Sequence, residues 1–104
     1  MPKPATSYQA QLLDPHSAQP QPVSPRNGRS FKLAELYQLL DCRTVDVVRL
    51  SSELILIIDD EGKFRNPCYL NVLATHFYHQ HIPEARGVDV VVGRVILCHD
   101  KQFR

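Results

Sequence analysis

Glu53-Leu-Ile-Leu-Ile-Ile-Asp-Asp-Glu-Gly-Lys63 is the stretch whose reading decides the fold. Five consecutive large aliphatics that run into three acids and a glycine describe a buried strand ending in a turn. In an extended chain Leu54, Leu56 and Ile58 project to one side, and Ile55 and Ile57 to the other. Both faces of the sheet therefore need a cover, so this strand is expected to be central. Gly62 is expected to take the positive φ that closes the turn.

Upstream, Thr44-Val-Asp-Val-Val-Arg-Leu50 alternates β-branched and polar residues, and Ser51-Ser52 leaves a hairpin-sized gap before the central strand, so these two strands pair antiparallel. Before them Leu33, Leu36, Tyr37 and Leu40 recur at helical spacing and predict an amphipathic helix over 31–40. Ser30 is a good capping residue, but Lys32 holds the natural cap position and carries no acceptor.

Downstream, Asn66-Pro67 reads as a helix start, with an acceptor side chain at the cap and a proline at the first helical position. That helix would bury Leu70, Leu73, Ala74 and Phe77, and Pro83 ends it by about Ile82. Residues 88–98 form a β-branched run with Gly93 inside it, predicting a long last strand with a bulge or a close backbone approach.

Six of the eight prolines fall in the first 25 residues, which excludes a helix there. Tyr8, Ala10 and Leu12 alternate with polar neighbours, and Asn27-Gly28 is a turn dipeptide, so residues 1–30 read as a Pro-rich segment with one short strand and a loop of some β character. A disordered polar arm is the plainer alternative. Residues 31–104 then make a single α+β domain, a mixed sheet of four or five strands with two helices in the order β-(β)-α-β-β-α-β.

The 104 residues suffice for one core. Lys+Arg number 12 against Asp+Glu 11, a formal charge of +1, which argues against a general nucleic-acid binder and against an acidic DNA mimic. Three widely spaced cysteines, Cys42, Cys68 and Cys98, with no Cys-x-x-Cys pair, fit a reducing compartment. With no apolar signal core and no run near ~20 apolar residues, the chain is expected to be soluble and cytoplasmic, with no membrane partner.

Several clusters invite chemistry, each with a plainer reading beside it. His76 and His79 lie three apart on one helical face, close enough to share a zinc ion with Cys68 or His99, although an ordinary polar helix face shows the same pattern. Cys98-His99 resembles a thiol and its base, but adjacent strand residues face opposite ways. Cys42 and Cys98 are more simply small buried hydrophobes. Asp59, Asp60 and Glu61 are hard ligands for a divalent cation, yet nothing after Gly62 completes a calcium loop. Arg26, Arg29 and Lys32, with Lys101 and Arg104, form a basic edge able to contact phosphates if the two ends of the chain meet; scattered surface charge is the alternative.

The segments Phe31-Lys-Leu-Ala-Glu-Leu-Tyr-Gln-Leu-Leu40, Val45 to Leu50, Asp59-Asp-Glu-Gly-Lys63, Asn71-Val-Leu-Ala-Thr75 and Val92-Gly93 resemble the small domain of unknown function family 3846, over about residues 31–98. Phage, plasmid and conjugative-element genomes are where that family is mostly met. The resemblance carries no established activity or catalytic residues across. It implies that the glycine of Asp-Glu-Gly lies near the Asn-x-x-Ala-Thr segment, and it makes Asn71 with Thr75 the polar pair to examine for a pocket. Residues 80–86 form a longer connection than the family's usual one. The reading that follows is a cytoplasmic accessory domain that binds another protein, with a metal module using His76 and His79, or a weak nucleic-acid binder, as alternatives.

Overall fold

The computed structural model describes residues 9–103. Five strands form one sheet: β1 (Ala10–Leu13), β2 (Gln21–Val23), β3 (Val45–Arg49), β4 (Leu54–Asp59) and β5 (Val95–His99), in the spatial order β2-β1-β5-β4-β3. Helix α1 (Leu33–Leu40) precedes β3, and α2 (Val72–His81) lies between β4 and β5. The α+β class and the order of elements are as the sequence predicts. The pairing is antiparallel throughout, where a mixed sheet was expected. With α2 crossing one face of the sheet, β5 returns beside β4 in the opposite direction, so no parallel pair arises.

The alternation in β4 does what its pattern requires. Ile55 and Ile57 enter a core with Leu36 and Leu40 of α1, while Leu56, flanked by Leu54 and Ile58, enters a second core with Ala74 of α2. Cys98 belongs to the α1-side core, and Cys42 packs against it.

The amino-terminal segment is part of this unit. It contributes two strands, and β1 pairs with both β2 and β5, Leu12 standing opposite Ile96. The boundary drawn at residue 30 therefore falls inside one fold. Tyr8, expected in the first strand, lies outside the described residues.

Helix α1 buries Leu36 and Leu40, but Leu33 is exposed, because Phe31 fills the core at that end. Lys32 is indeed the cap residue without a capping side chain, an ammonium having no lone pair to offer. Glu35 supplies what is missing: its carboxylate accepts the Lys32 N–H at 3.0 Å and the Arg26 N–H at 2.9 Å. These bonds to backbone amides hold the buried Glu35 below the ordinary carboxylate pKa, outweighing the opposite pull of burial.

Helix α2 begins five residues later than Asn66-Pro67 predicts. That peptide bond is cis, and the capping residue is Asn71, whose Oδ1 accepts the Ala74 N–H at 3.0 Å. Leu70 consequently sits outside the helix, half-exposed, in a β-bridge with Val92. Only Ala74 of α2 is fully buried, with Leu73, Phe77 and Tyr78 partly so.

The last strand is shorter than its composition suggests. Residues 91–93 pair with the segment leading into α2: Asn71 N–H donates to the Val91 carbonyl at 2.8 Å, and Gly93 N–H to that of Tyr69 at 2.9 Å. Gly93, with φ 72, then turns the chain into β5. Gly62 is not in the left-handed region; its constraint is space, since a Cβ there would meet Val92 Cγ2 at 3.3 Å.

Candidate functional site

Two concavities border the segment 88–93, and they differ in chemistry. The first, of about 250 Å³, opens where β1 and β4 finish and β5 begins. Both of its guanidiniums are paired: Arg94 Nε meets Asp14 Oδ2 at 3.2 Å, and Arg65 Nε donates to Asp59 Oδ2. The rings of His16 and Tyr69 stand edge to face across it, 4.6 Å between centroids. Cys68 lies at its rim, exposed. None of these residues is hydrogen-bonded as a nucleophile and base would be, and both guanidiniums are already neutralised, so the cleft is a polar surface whose further carboxylate is Asp41.

The second, of about 300 Å³, is a groove on the α2 face of the sheet beneath β3 and β4. Val48 and Ile58 form its floor, Phe64 and Val90 its sides, and Asp46 and Asp60 its mouth. On this face Val48 of β3 and Ile58 of β4 are only half-buried, whereas Leu56 of β4 and Val95 of β5 are fully covered. Lys63 is paired with Asp89, which also accepts the Tyr78 hydroxyl at 3.1 Å. The Lys63 contact above all keeps the Asp89 carboxyl below its usual range. Burial, reinforced by Asp89, pushes the Tyr78 phenol upward, so it remains a donor.

Several apolar side chains on and beside the 88–92 segment are exposed, two of them, Phe64 and Val90, in the groove lining. Phe64 is 87% exposed, Val88 82% and Val72 70%, with Leu70 and Val90 also open. Each belongs to segment 88–92 or sits within two residues of a direct contact to it, through the Lys63–Asp89 pair, the Leu70–Val92 bridge or the Asn71–Val91 hydrogen bond.

The residues singled out in the sequence are distributed as follows. Asn71 is fully buried, and its Nδ2 donates to the carbonyls of Leu13 at 2.9 Å and Gly93 at 2.8 Å while its Oδ1 caps α2; all of its polar capacity is spent on joining β1, α2 and the 93 turn. Thr75 Oγ1 accepts the Val91 N–H at 2.9 Å and lies 3.2 Å from the Val91 carbonyl. Gly62 and the Asn-x-x-Ala-Thr segment each border residues 91–92, a Cβ at Gly62 meeting Val92 and the Asn71 N–H bonding the Val91 carbonyl.

The proposed zinc ligands are not assembled. His76 and His79 share a shallow depression with Arg86, but His79 Nε2 lies 2.7 Å from the Asp89 carbonyl, so it carries the proton there. Cys68 and His99 are near opposite ends of β4. Among the described residues no three His, Cys, Asp or Glu side chains gather around a point. The acids of the turn diverge: Asp59 binds Arg65 and the Glu61 N–H, Asp60 faces the groove, and Glu61 accepts the Thr44 hydroxyl at 3.3 Å.

Cys98 and His99 face opposite sides of β5, and burial pushes the Cys98 thiol up to about 12, far from a reactive thiolate. On the basic edge, Phe31 N–H donates to the Gln102 carbonyl at 2.7 Å, which sets Lys32 and Lys101 at one end of the molecule. Arg26 there is tied to Gln38 at 2.9 Å, and Arg29 lies on the exposed turn; Arg104 lies outside the described residues.

No sequence pattern pointed to the groove, because its parts come from four separate segments. The one available signal was the apolar excess of residues 88–92, which reads as a strand.

No helix among the described residues is long and apolar enough to cross a membrane. No curated protein and no solved structure matches the chain. The family model of the domain of unknown function DUF3846 matches residues 8–103, which takes in the first strand and the carboxyl-terminal turn as well as the motifs between them. The chain belongs to that family.

Proposed function

We propose that this chain is a small accessory module that works by holding another protein, with the apolar surface around residues 88–92 as the contact. The observation that carries this reading is the exposure of Phe64, Leu70, Val72, Val88 and Val90 on the 88–92 segment and on the residues bonded to it or next to those bonded to it, with Phe64 and Val90 lining the groove itself. Single exposed hydrophobics need no explanation, but a group of them rimmed by charge is the usual mark of a docking face. The paired guanidiniums of the first cleft and the hydrogen bonds already made by Asn71 turn attention to the exposed apolar side chains. The three free cysteines suit a reducing cytoplasm, and the family's usual setting suggests a partner encoded by, or met by, a mobile element.

Immobilised chain tests the reading against a double variant, Phe64→Ser with Val90→Ser, in affinity capture from a lysate of the source cell. The unaltered chain should retain a defined protein that the variant releases, with both chains melting at the same temperature within a few degrees. Equal retention by the two chains would overturn the proposal.

A further inference from the structure

The groove lies against a sheet edge that no strand among the described residues covers, and that edge has a readable phase. Asp60 N–H donates to the Thr44 carbonyl and Leu50 N–H to that of Leu54, so residues 44, 46, 48 and 50 direct their backbone groups toward β4. Val45, Val47 and Arg49 therefore direct theirs outward, and β3 is the last strand in the sheet order. Their side chains lie toward the α1 face, while Asp46 and Val48 face the groove.

We infer that β3 takes up an extended, basic and apolar segment of the partner protein as a sixth strand. The inference rests on the docking reading above and names the chemistry of the occupant. Two observations select it. The first is charge: of the groove's ionised residues, Lys63 and Asp89 neutralise each other and Asp59 is paired with Arg65, so Asp46 and Asp60 leave the mouth acidic. A strand added at β3 places alternate side chains beside Asp46 and Val48, which match a lysine or arginine and an aliphatic two residues apart. The second is the state of the edge itself. The outward amide of Val47 is covered by Asp46 Oδ1 at 2.8 Å. Such a cover discourages indiscriminate pairing between sheet edges. A basic side chain that draws Asp46 toward itself uncovers that amide for the incoming strand, so edge and groove are engaged together.

The test uses the isotope-labelled full chain and three synthetic decapeptides: a lysine–valine peptide repeating Lys-Thr-Val-Thr, which sets lysine and valine two residues apart on one face, a glutamate–valine peptide repeating Glu-Thr-Val-Thr, and the lysine–valine peptide N-methylated at alternate residues. The lysine–valine peptide should shift the amide resonances of Val45, Val47 and Arg49 and slow their hydrogen exchange. It should bind at least about tenfold more tightly than the glutamate–valine peptide, with the preference reversed in Asp46→Lys. N-methylation should abolish the edge shifts. Shifts confined to Phe64 and Val90 would overturn strand addition while leaving the apolar docking face standing, whose own failure is read in the capture experiment. Equal binding of the two charged peptides, or no shift at either place, would overturn the inference. So would edge amides that respond to protein concentration alone, because the strand would then be taken by a second copy.

Discussion

The two faces of the sheet are covered by different means. On the α1 side, Leu36 and Leu40 press onto Ile55, Ile57 and Ile96, and the polar bonds of the helix, from Glu35 to its own start and from Glu35 and Gln38 to Arg26, lie away from the sheet residues. On the α2 side the helix buries little more than Ala74, and it is held chiefly by hydrogen bonds: Asn71 to β1 and to the Gly93 turn, Thr75 to Val91, His79 to Asp89. Apolar contact is tolerant of sliding and works by area, whereas buried polar contact is positional and costly to break. A helix fixed by such bonds need not cover the whole face, and the exposed valines and Phe64 beside it follow from that.

If the comparison is right, one polar residue on the α2 side matters as much as a core leucine on the other. Asn71→Ala removes three hydrogen bonds at a fully buried site and strands the carbonyls of Leu13 and Gly93, so it should destabilise the fold by about 4 kcal/mol in urea unfolding. A loss below about 1 kcal/mol would mean that α2 is held by its apolar contacts after all. Leu36→Ala, on the α1 side, should cost about 3 kcal/mol through lost burial and the cavity left behind.

Glu35→Gln is the smaller test of that same side and should cost about 1 kcal/mol near neutrality. Glu35 has a folded pKa below the free-glutamate value of 4.5, so its contribution is fully present above that value and is lost as pH falls through the folded one. The variant should accordingly show a shallower loss of stability on acidification below about pH 4.5. Phe64→Ser should move stability by less than about 0.5 kcal/mol, since the side chain is exposed, and its effect belongs to partner binding. Thiol labelling sharpens the picture at no cost to the fold: exposed Cys68 should react first, and Cys98, shut into the α1-side core, only on unfolding.

Much of the fold was legible along the chain. The aliphatic run of β4, the β-branched run of β3 and the helical spacing around Leu36 each express a local period that only one secondary structure satisfies. The misreadings share one cause. Asn66-Pro67 and the valines of 88–92 have strong local signatures, but the helix start was decided by Asn71, whose side chain is tied to the Leu13 and Gly93 carbonyls, and the end of the strand by the pairing of residues 91–93 with 69–71. Both are contacts between segments far apart in sequence, and a tertiary hydrogen bond at a buried site outweighs a propensity worth fractions of a kcal/mol. The same reasoning applies to Gly62, whose glycine is required by the approach of Val92 and not by its own φ.

By itself, then, the sequence determined the α+β class, the two-sided burial of β4, the β3–β4 hairpin and the place of α1, because these depend on side-chain alternation within a few residues. The tertiary structure alone decided that the sheet is antiparallel, that Asn71 is a structural tie, and that a groove with an acidic mouth opens beside β3. Those features depend on which distant backbone groups satisfy one another, and on which part of the α2 face is left half-buried.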